Sequence, residues 1–318
     1  MFLQSDDGLY EWRIIARRVL HGKHNARPAL WAAGMTDRRI ERVLEGLAAR
    51  QTFDAAAVVP WIVAGQRVGW LSRERAALLR RWSQWFEVSA DRVELCGTLA
   101  TEAERTAALA EVIERLAEDG HVRGWRDERF AVNTGWGTPT LALIERAAAR
   151  FFGIRTYAAH MNGLIDGMDE AGPMLWLARR AATKPIDPGM WDNLVAGGIG
   201  HGFDARGALE KECWEEAGIG ADLAAQLVQR GTLDVLRDVP EGIQCETLFA
   251  FDLTLPADFT PANQDGEVVG HLRASPDAAL DIMADCAMTV DATLVTLDAL
   301  ARLSSPHVPQ RFAPDNNT

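Results

Sequence analysis

Glu212, Glu215 and Glu216 are the residues of this chain best placed to do chemistry together. Their i, i+3, i+4 spacing puts three carboxylates on one helix face, with Leu209, Cys213 and Ala217 as an adjoining apolar stripe for packing. Like charges this close repel by about 1 kcal/mol per pair in water, and by more at a lower effective dielectric, so the arrangement favours a bound cation. Mg²⁺ or Mn²⁺ suits such donors, because both take carboxylate, water and phosphate oxygens in one shell. That site fits cleavage of a diphosphate: the ions neutralise phosphate oxygens, lower the pKa of a bound water and hold the attacking and leaving oxygens in line. Arg180 and Lys184 lie where a predicted strand gives way to a loop and are candidates to grip a terminal phosphate, although cations at strand ends often meet only solvent. His160 and Asn162 have no second histidine at ligand spacing nearby and receive no role.

The elements that must position the carboxylates are legible around them. Asp204 is the expected N-cap, the run from Ala208 to Ala217 forms helix well, and Gly218 stands where a left-handed closing residue belongs. On composition alone a glutamate-rich helix face is an ordinary solvated surface. The ordered pattern around it says more. Lys211-Glu212-Cys213-Trp214-Glu215-Glu216-Ala217-Gly218-Ile219, preceded by Gly197-Gly198, resembles the Nudix box, with Lys211 where the box has Arg and with Phe203 or Asp204 where it has an earlier Glu.

Segments spread over the chain resemble a subfamily of two-part Nudix proteins labelled thiamine pyrophosphokinase-related. They include Gly65 to Gly69, the run from Arg105, Gly124-Trp125-Arg126-Asp127-Glu128, the run from Ile144 to Arg155, Arg179 to Lys184, Pro188 to Gly198 and Asp265 to Val268. The resemblance implies a Nudix α/β/α sandwich with a smaller N-terminal α+β domain. It also implies Glu212, Glu215 and Glu216 as metal ligands and catalytic carboxylates, one of them the base or its orienter, and Gly197 as a backbone-carbonyl ligand. A further carboxylate from outside the box would be Glu246 or Glu267, with Glu246 favoured for its strand-edge position. The implied reaction is hydrolysis of thiamine diphosphate, or of an oxidised analogue, to the monophosphate and phosphate, with a nucleoside diphosphate derivative as the alternative substrate.

At 318 residues, 48% hydrophobic and 25% charged, the chain has room for two domains and a large core. A net charge of −12 argues against a broad nucleic-acid or anionic-membrane surface. No apolar run reaches the roughly 18 residues of a membrane span. Cys96, Cys213, Cys245 and Cys286 are far apart and without CxxC pairing, which reads as reduced thiols in a cytoplasmic protein. The expected partner is a small-molecule diphosphate; a homodimer is allowed.

The expected organisation is an extension over 1–35 with a short docking helix from Tyr10 to Lys23, an α+β accessory domain over 36–150, the Nudix domain over 151–308 and a disordered tail over 309–318. Within the accessory domain the pattern predicts a helix from Asp37 to Arg50, a hairpin around Ala64-Gly65, a helix capped by Ser72, short strands at 86–88 and 93–96, a capping box at Thr101 and Glu104 opening a long helix, and a helix from Thr140 to Phe152. The loop from Gly124 to Gly137, with Trp125, Phe130 and Trp136, is a candidate wall for a planar heterocycle or plain core filling. Further on, strands are expected at 154–162, 174–178, 232–235 and 247–253, and helices at 221–230, 275–286 and 291–303.

Two other classes stay in view. Arg179 to Lys184 and Pro188 to Gly197 also resemble isopentenyl diphosphate isomerase, but Ala196 and Gly198 stand where that family has a catalytic Cys and a metal-binding His, so its proton-shuttling chemistry lacks its parts. A non-catalytic module sensing a nucleotide or thiamine species is the third reading. No Walker-type loop is present, so no kinase activity is expected.

Overall fold

The computed structural model describes residues 37–165 and 173–303; the expectations for 1–35 and for 309–318 lie outside the described residues. The first described element, α1 (Asp37–Arg50), carries the apolar stripe Ile40, Val43 and Leu47. After it, β1 (Val58–Val63) and β2 (Gln66–Ser72) pair as the expected hairpin, turning through Ala64 and Gly65 at φ of 50° and 73°. The Ser72 hydroxyl accepts the Arg75 N–H at 3.2 Å and opens α2 (Arg73–Leu79). Strands β3 (Phe86–Val88) and β4 (Val93–Leu95) complete a four-stranded sheet in the order β2-β1-β4-β3. The capping box at Thr101 and Glu104 opens α3 (Glu102–Glu118), whose Leu109, Val112, Ile113 and Leu116 close over the sheet.

The helix expected over 140–152 does not form as such. Residues 142–145 are a strand, β6 (Ala142–Glu145), paired with β5 (Arg129–Val132); a 3-10 turn and the four-residue α4 (Ala149–Phe152) follow. The run Leu141-Ala142-Leu143-Ile144 is apolar enough for either state, and the partner strand decides it.

The second part is built on a seven-stranded mixed sheet. Its path runs β11-β12-β7-β8-β13, where β7 is Arg155–Ile165, β8 Met174–Arg180, β11 Val228–Val239, β12 Gly242–Leu255 and β13 Val268–Ala274; β9 (Trp191–Asn193) pairs with β8 and β10 (Val195–Gly198) with β7. The helix expected from 221 to 230 stops early, as α6 (Ala221–Ala224), because β11 already pairs with β12 from Val228. On one face lies α5 (Ala205–Ala217), packed on Tyr157, Ala159, Phe249 and Phe251. On the other lie α7 (Pro276–Ala284) and α8 (Val290–Leu303), packed on Ala158, Leu248 and Ala250. Alternation along each strand sorts the residues between these cores, and the result is the expected α/β/α arrangement.

Helix α1 belongs to this second core. Ile40, Val43 and Leu47 pack with Leu280 and Met283, Arg39 pairs with Asp277 at 3.1 Å and Asp281 at 3.2 Å, and Arg50 donates to the Met288 carbonyl at 2.8 Å. From Asp37 onward the described chain therefore runs from the second unit to the first and back.

The two units meet where Gly153 ends α4 at φ 54°. Trp70 of β2 donates its N–H to the Gly153 carbonyl at 3.2 Å, and a Cβ on Gly153 would lie 2.2 Å from the Trp70 carbonyl oxygen. Gly153→Ala is expected to lower the unfolding free energy by about 3 kcal/mol, combining left-handed strain with overpacking against backbone that cannot move aside. Urea unfolding, read as a fall in midpoint at constant m, checks it. No described helix is long and apolar enough to cross a membrane.

Candidate active site

Helix α5 starts and ends as its caps dictate: the Asp204 Oδ1 accepts the Gly207 N–H at 2.7 Å, and Gly218 closes it at φ 65°. Leu209, Cys213 and Ala217 anchor it on the sheet, and Glu216, next to that stripe, is carried into the interior. There its Oε2 accepts the backbone N–H of Ala196 in β10 at 2.8 Å. Glu212, one turn earlier, lies against the next residue of that strand. A Cβ on Gly197 would stand 2.5 Å from the Glu212 Cγ and 2.7 Å from its Oε1, so only glycine leaves the carboxylate its place. Glu215, the most outward of the three, is held by Lys211 at 2.5 Å.

Burial raises the Glu216 carboxyl to about 8, with Glu212 and Asp192 adding to the rise and the Ala196 hydrogen bond opposing it. Burial also raises Glu212, with the Lys211 charge opposing. Among the described residues no three His, Cys, Asp or Glu side chains already converge as a metal-ligand group. The donor set nonetheless fits a hard divalent ion: oxygen only, on one helix face, beside a glycine strand that leaves room for a carboxylate, with two acids that burial raises despite the nearby charges of Lys211, Arg146 and Lys184.

The other expected residues divide. Lys184 reaches the cluster; it pairs with Glu267, it feels the Glu216 charge, and burial lowers its pKa. Glu267 is thereby brought to the edge of the site, where Arg126 also meets it at 3.4 Å. Glu246, favoured over Glu267 for the metal, lies instead on the opposite face of the sheet. Its carboxylate accepts from the Thr156 hydroxyl at 3.0 Å and from Gln244 Nε2 at 2.7 Å, beside Asp291 of α8. The reason is strand parity: Glu246 shares a face with Leu248 and Ala250, away from α5. Arg180 donates to Asp192 at 2.8 Å and to the carbonyls of Ile186 and Asp187, and so holds the loop in this structure. His160 accepts or donates at 2.9 Å to Asn193 in a buried network with Asn162 and Thr296, a structural setting.

Residues from the first unit complete the site. Arg146, just after β6, pairs with Glu128 at 2.6 Å and lies over the Phe130 ring at 5.5 Å. A Cβ on Gly198 would meet the Arg146 guanidinium at 3.1 Å, and one on Gly200 would meet the Glu128 carboxylate at 2.8 Å. The charge of Arg146 is also felt by Glu212. The His201 N–H, in the loop leading to α5, donates to the Arg129 carbonyl at 2.8 Å. Arg126, Glu128 and Arg146 carried no spacing signal relative to the glutamates, since they are some seventy to ninety residues away in the chain and only the docking of the β5–β6 hairpin brings them in. A cavity of 290 Å³ opens beside them, between that hairpin and the loop from Ile199 to Asp204. All four cysteines are free thiols.

Residues 40–156 match the family model described as a domain of unknown function (DUF4743), and residues 159–285 match the NUDIX domain. Nudix hydrolase 20, chloroplastic, of Arabidopsis thaliana is 37% identical over 219 residues, covering 66% of this chain and 58% of that protein. Nudix hydrolase 24, chloroplastic, of the same plant is 37% identical over 212 residues, with the same coverages of 66% and 58%. This chain thus spans under two thirds of the length of either relative. Among solved structures, a Caenorhabditis elegans Ap4A hydrolase binary complex is 17% identical with a TM-score of 0.34, covering 46% of this chain and 98% of that one. The NUDIX domain of Shewanella oneidensis NrtR complexed with ADP ribose is 13% identical with a TM-score of 0.38, covering 48% and 90%.

Proposed function

We infer that this chain, a NUDIX domain preceded by a DUF4743 domain, is a metal-dependent hydrolase of a diphosphate linkage. The observation that carries the reading is the placing of Glu212 and Glu216 on adjacent residues of one glycine-bearing strand, with both carboxyls raised by burial. Glu212, Glu215, Glu216 and the Gly197 carbonyl would hold Mg²⁺ or Mn²⁺, which supplies an acidified water and neutralises phosphate oxygens. The protein's own part is to hold a polyanion and a proton acceptor in register. Lys184, paired with Glu267, and Arg146, paired with Glu128, are both close enough for Glu212 to feel their charge and would be the partners for phosphate oxygens. Glu216, whose proton affinity lies near neutrality before an ion binds, is suited to accept or orient a proton from water.

The substrate we propose is thiamine diphosphate or an oxidised analogue, on the spread of segments from Gly65 to Val268 that resemble the thiamine pyrophosphokinase-related subfamily. The test incubates the purified chain with Mg²⁺ or Mn²⁺ and thiamine diphosphate, its oxidised forms, ADP-ribose, NADH and nucleoside diphosphates. Metal-dependent release of phosphate and monophosphate, fastest with the thiamine series and stopped by a chelator, is the expected result. Faster turnover of nucleotides would leave the hydrolase and remove the thiamine assignment. No turnover of any compound would remove the enzyme and leave a binding module.

A further inference from the structure

We propose that the cavity between the two units is the recognition site for a single planar heterocycle, with Trp136 of the first unit as its stacking face and Asn133 as its hydrogen-bonding group. The inference rests on the diphosphate-hydrolase reading only for what is attached to the ring; the ring site itself stands on its own geometry.

Size comes first. At 290 Å³ the cavity sits at the lower edge of the roughly 300–1,000 Å³ of small-molecule pockets, which suits one ring system and not a pair of nucleosides. Its walls come from distant parts of the chain: Phe130, Asn133, Trp136 and Thr140 from the first unit, Tyr157 from β7 and Phe203 from the loop before α5. Neither unit alone makes the site.

The aromatic wall is held open. Trp136 packs against Tyr157 at 4.8 Å and 68° and against Phe249 at 4.7 Å and 58°, yet it stays 45% exposed. Two ring contacts fix its orientation while nearly half its surface remains uncovered, so a flat ligand meets a preformed surface at little entropic cost. Phe203, 58% exposed on the facing loop, adds a second uncovered ring to the lining.

The polar group is fixed as well. Asn133 is only 6% exposed, and its Oδ1 accepts the Tyr157 hydroxyl at 2.9 Å. That bond uses the amide oxygen and leaves its Nδ2 free to donate. A ring nitrogen or exocyclic oxygen is an acceptor that suits such a donor.

The cavity is continuous with the carboxylate face. Phe130 is both a cavity wall and the ring beneath Arg146, and Gly200 is both a cavity residue and the contact of Glu128. A ring seated on Trp136 therefore directs its substituent past Arg146 towards Glu212.

The test separates the ring from the phosphate. Unphosphorylated thiamine and adenosine are titrated into metal-free protein by calorimetry, up to millimolar ligand, using wild type, Trp136→Ala and Thr140→Trp. Trp136 is 45% exposed, and Thr140→Trp fills the cavity from its wall; thermal melts check that both variants fold. The expected result is binding of at least one heterocycle by wild type, weakened about tenfold or more by each variant. Failure of both heterocycles to bind wild type, or equal affinity in wild type and Trp136→Ala, overturns the proposal. A second readout is the ratio of kcat/KM for thiamine diphosphate over methyl diphosphate, expected to fall about tenfold in Trp136→Ala. Ring binding that depends on Trp136 without any diphosphate cleavage would remove the hydrolase and keep this site. Cleavage with an unchanged ratio would do the reverse.

Discussion

Glu216→Gln is expected to lower the metal-dependent hydrolysis rate by roughly 10²–10⁴-fold while leaving the fold intact. The amide keeps a carbonyl oxygen that can accept the Ala196 N–H, so the tie between α5 and β10 survives. What is lost is the charge that would bind an ion and the oxygen that would take a proton. The same substitution is expected to change stability in the opposite direction. In metal-free protein burial raises the Glu216 carboxyl from 4.5 to about 8, so between those values the folded state holds a proton that the unfolded chain has released. Stability contributed by that proton is fully present below the unfolded pKa and is lost as pH rises through the folded one. Glu212, also raised by burial, acts in the same sense; Lys184, lowered by burial, acts in the other sense towards its ordinary alkaline range. Metal-free wild type should therefore lose thermal stability from pH 5 to pH 8 more steeply than Glu216→Gln. Melting curves across that range without metal, and initial rates with it, are the measurements; parallel melting profiles and an unchanged rate would dismiss the role given to Glu216.

Gly197→Ala is expected to reduce kcat/KM by about 10²-fold, the scale of a misplacement of about 1 Å at reacting groups. The backbone there is ordinary strand, paired with Ala159, so alanine brings no conformational strain. The cost falls on the neighbour. The new Cβ would lie 2.5 Å from the Glu212 Cγ and 2.6 Å from its Cδ, and the side chain must leave its seat. A flexible carboxylate can move, so stability should fall by about 1 kcal/mol or less, well below the activity loss. Kinetics beside urea unfolding would separate the two; a large loss of stability with unchanged kcat/KM would mean that Gly197 serves packing and not the placement of Glu212.

Local chemistry was legible wherever neighbours in sequence decide the outcome. The Asp204 cap, the Gly218 closure, the Thr101–Glu104 capping box and the Ala64-Gly65 turn are set by side chains within a few residues of the backbone they serve, and each stands where its residue types place it. The mistaken helix over 140–152 shows the limit: four apolar residues fit two states, and strand β5, ten residues away, chooses between them. The helix expected to run to Arg230 ended for the same reason, because β12 captures Val228 onward.

By itself the sequence determined that three glutamates share a helix face, that this helix has an apolar side to bury, and that a glycine-containing connection precedes it. Those are consequences of 3.6-residue periodicity and of side-chain size. Only the tertiary structure decided which carboxylates outside the helix join it. Of the two candidates the sequence favoured Glu246 over Glu267, yet strand parity turned Glu246 to the far face while loop docking brought Glu267 beside Lys184. It also decided that α1 packs on the second core and that Arg146, Glu128 and Trp136 stand at the site. An apolar stripe records that a helix must be covered, and a charge that it must be solvated or paired; the partner is chosen by packing between segments far apart in the chain, and no local spacing encodes it.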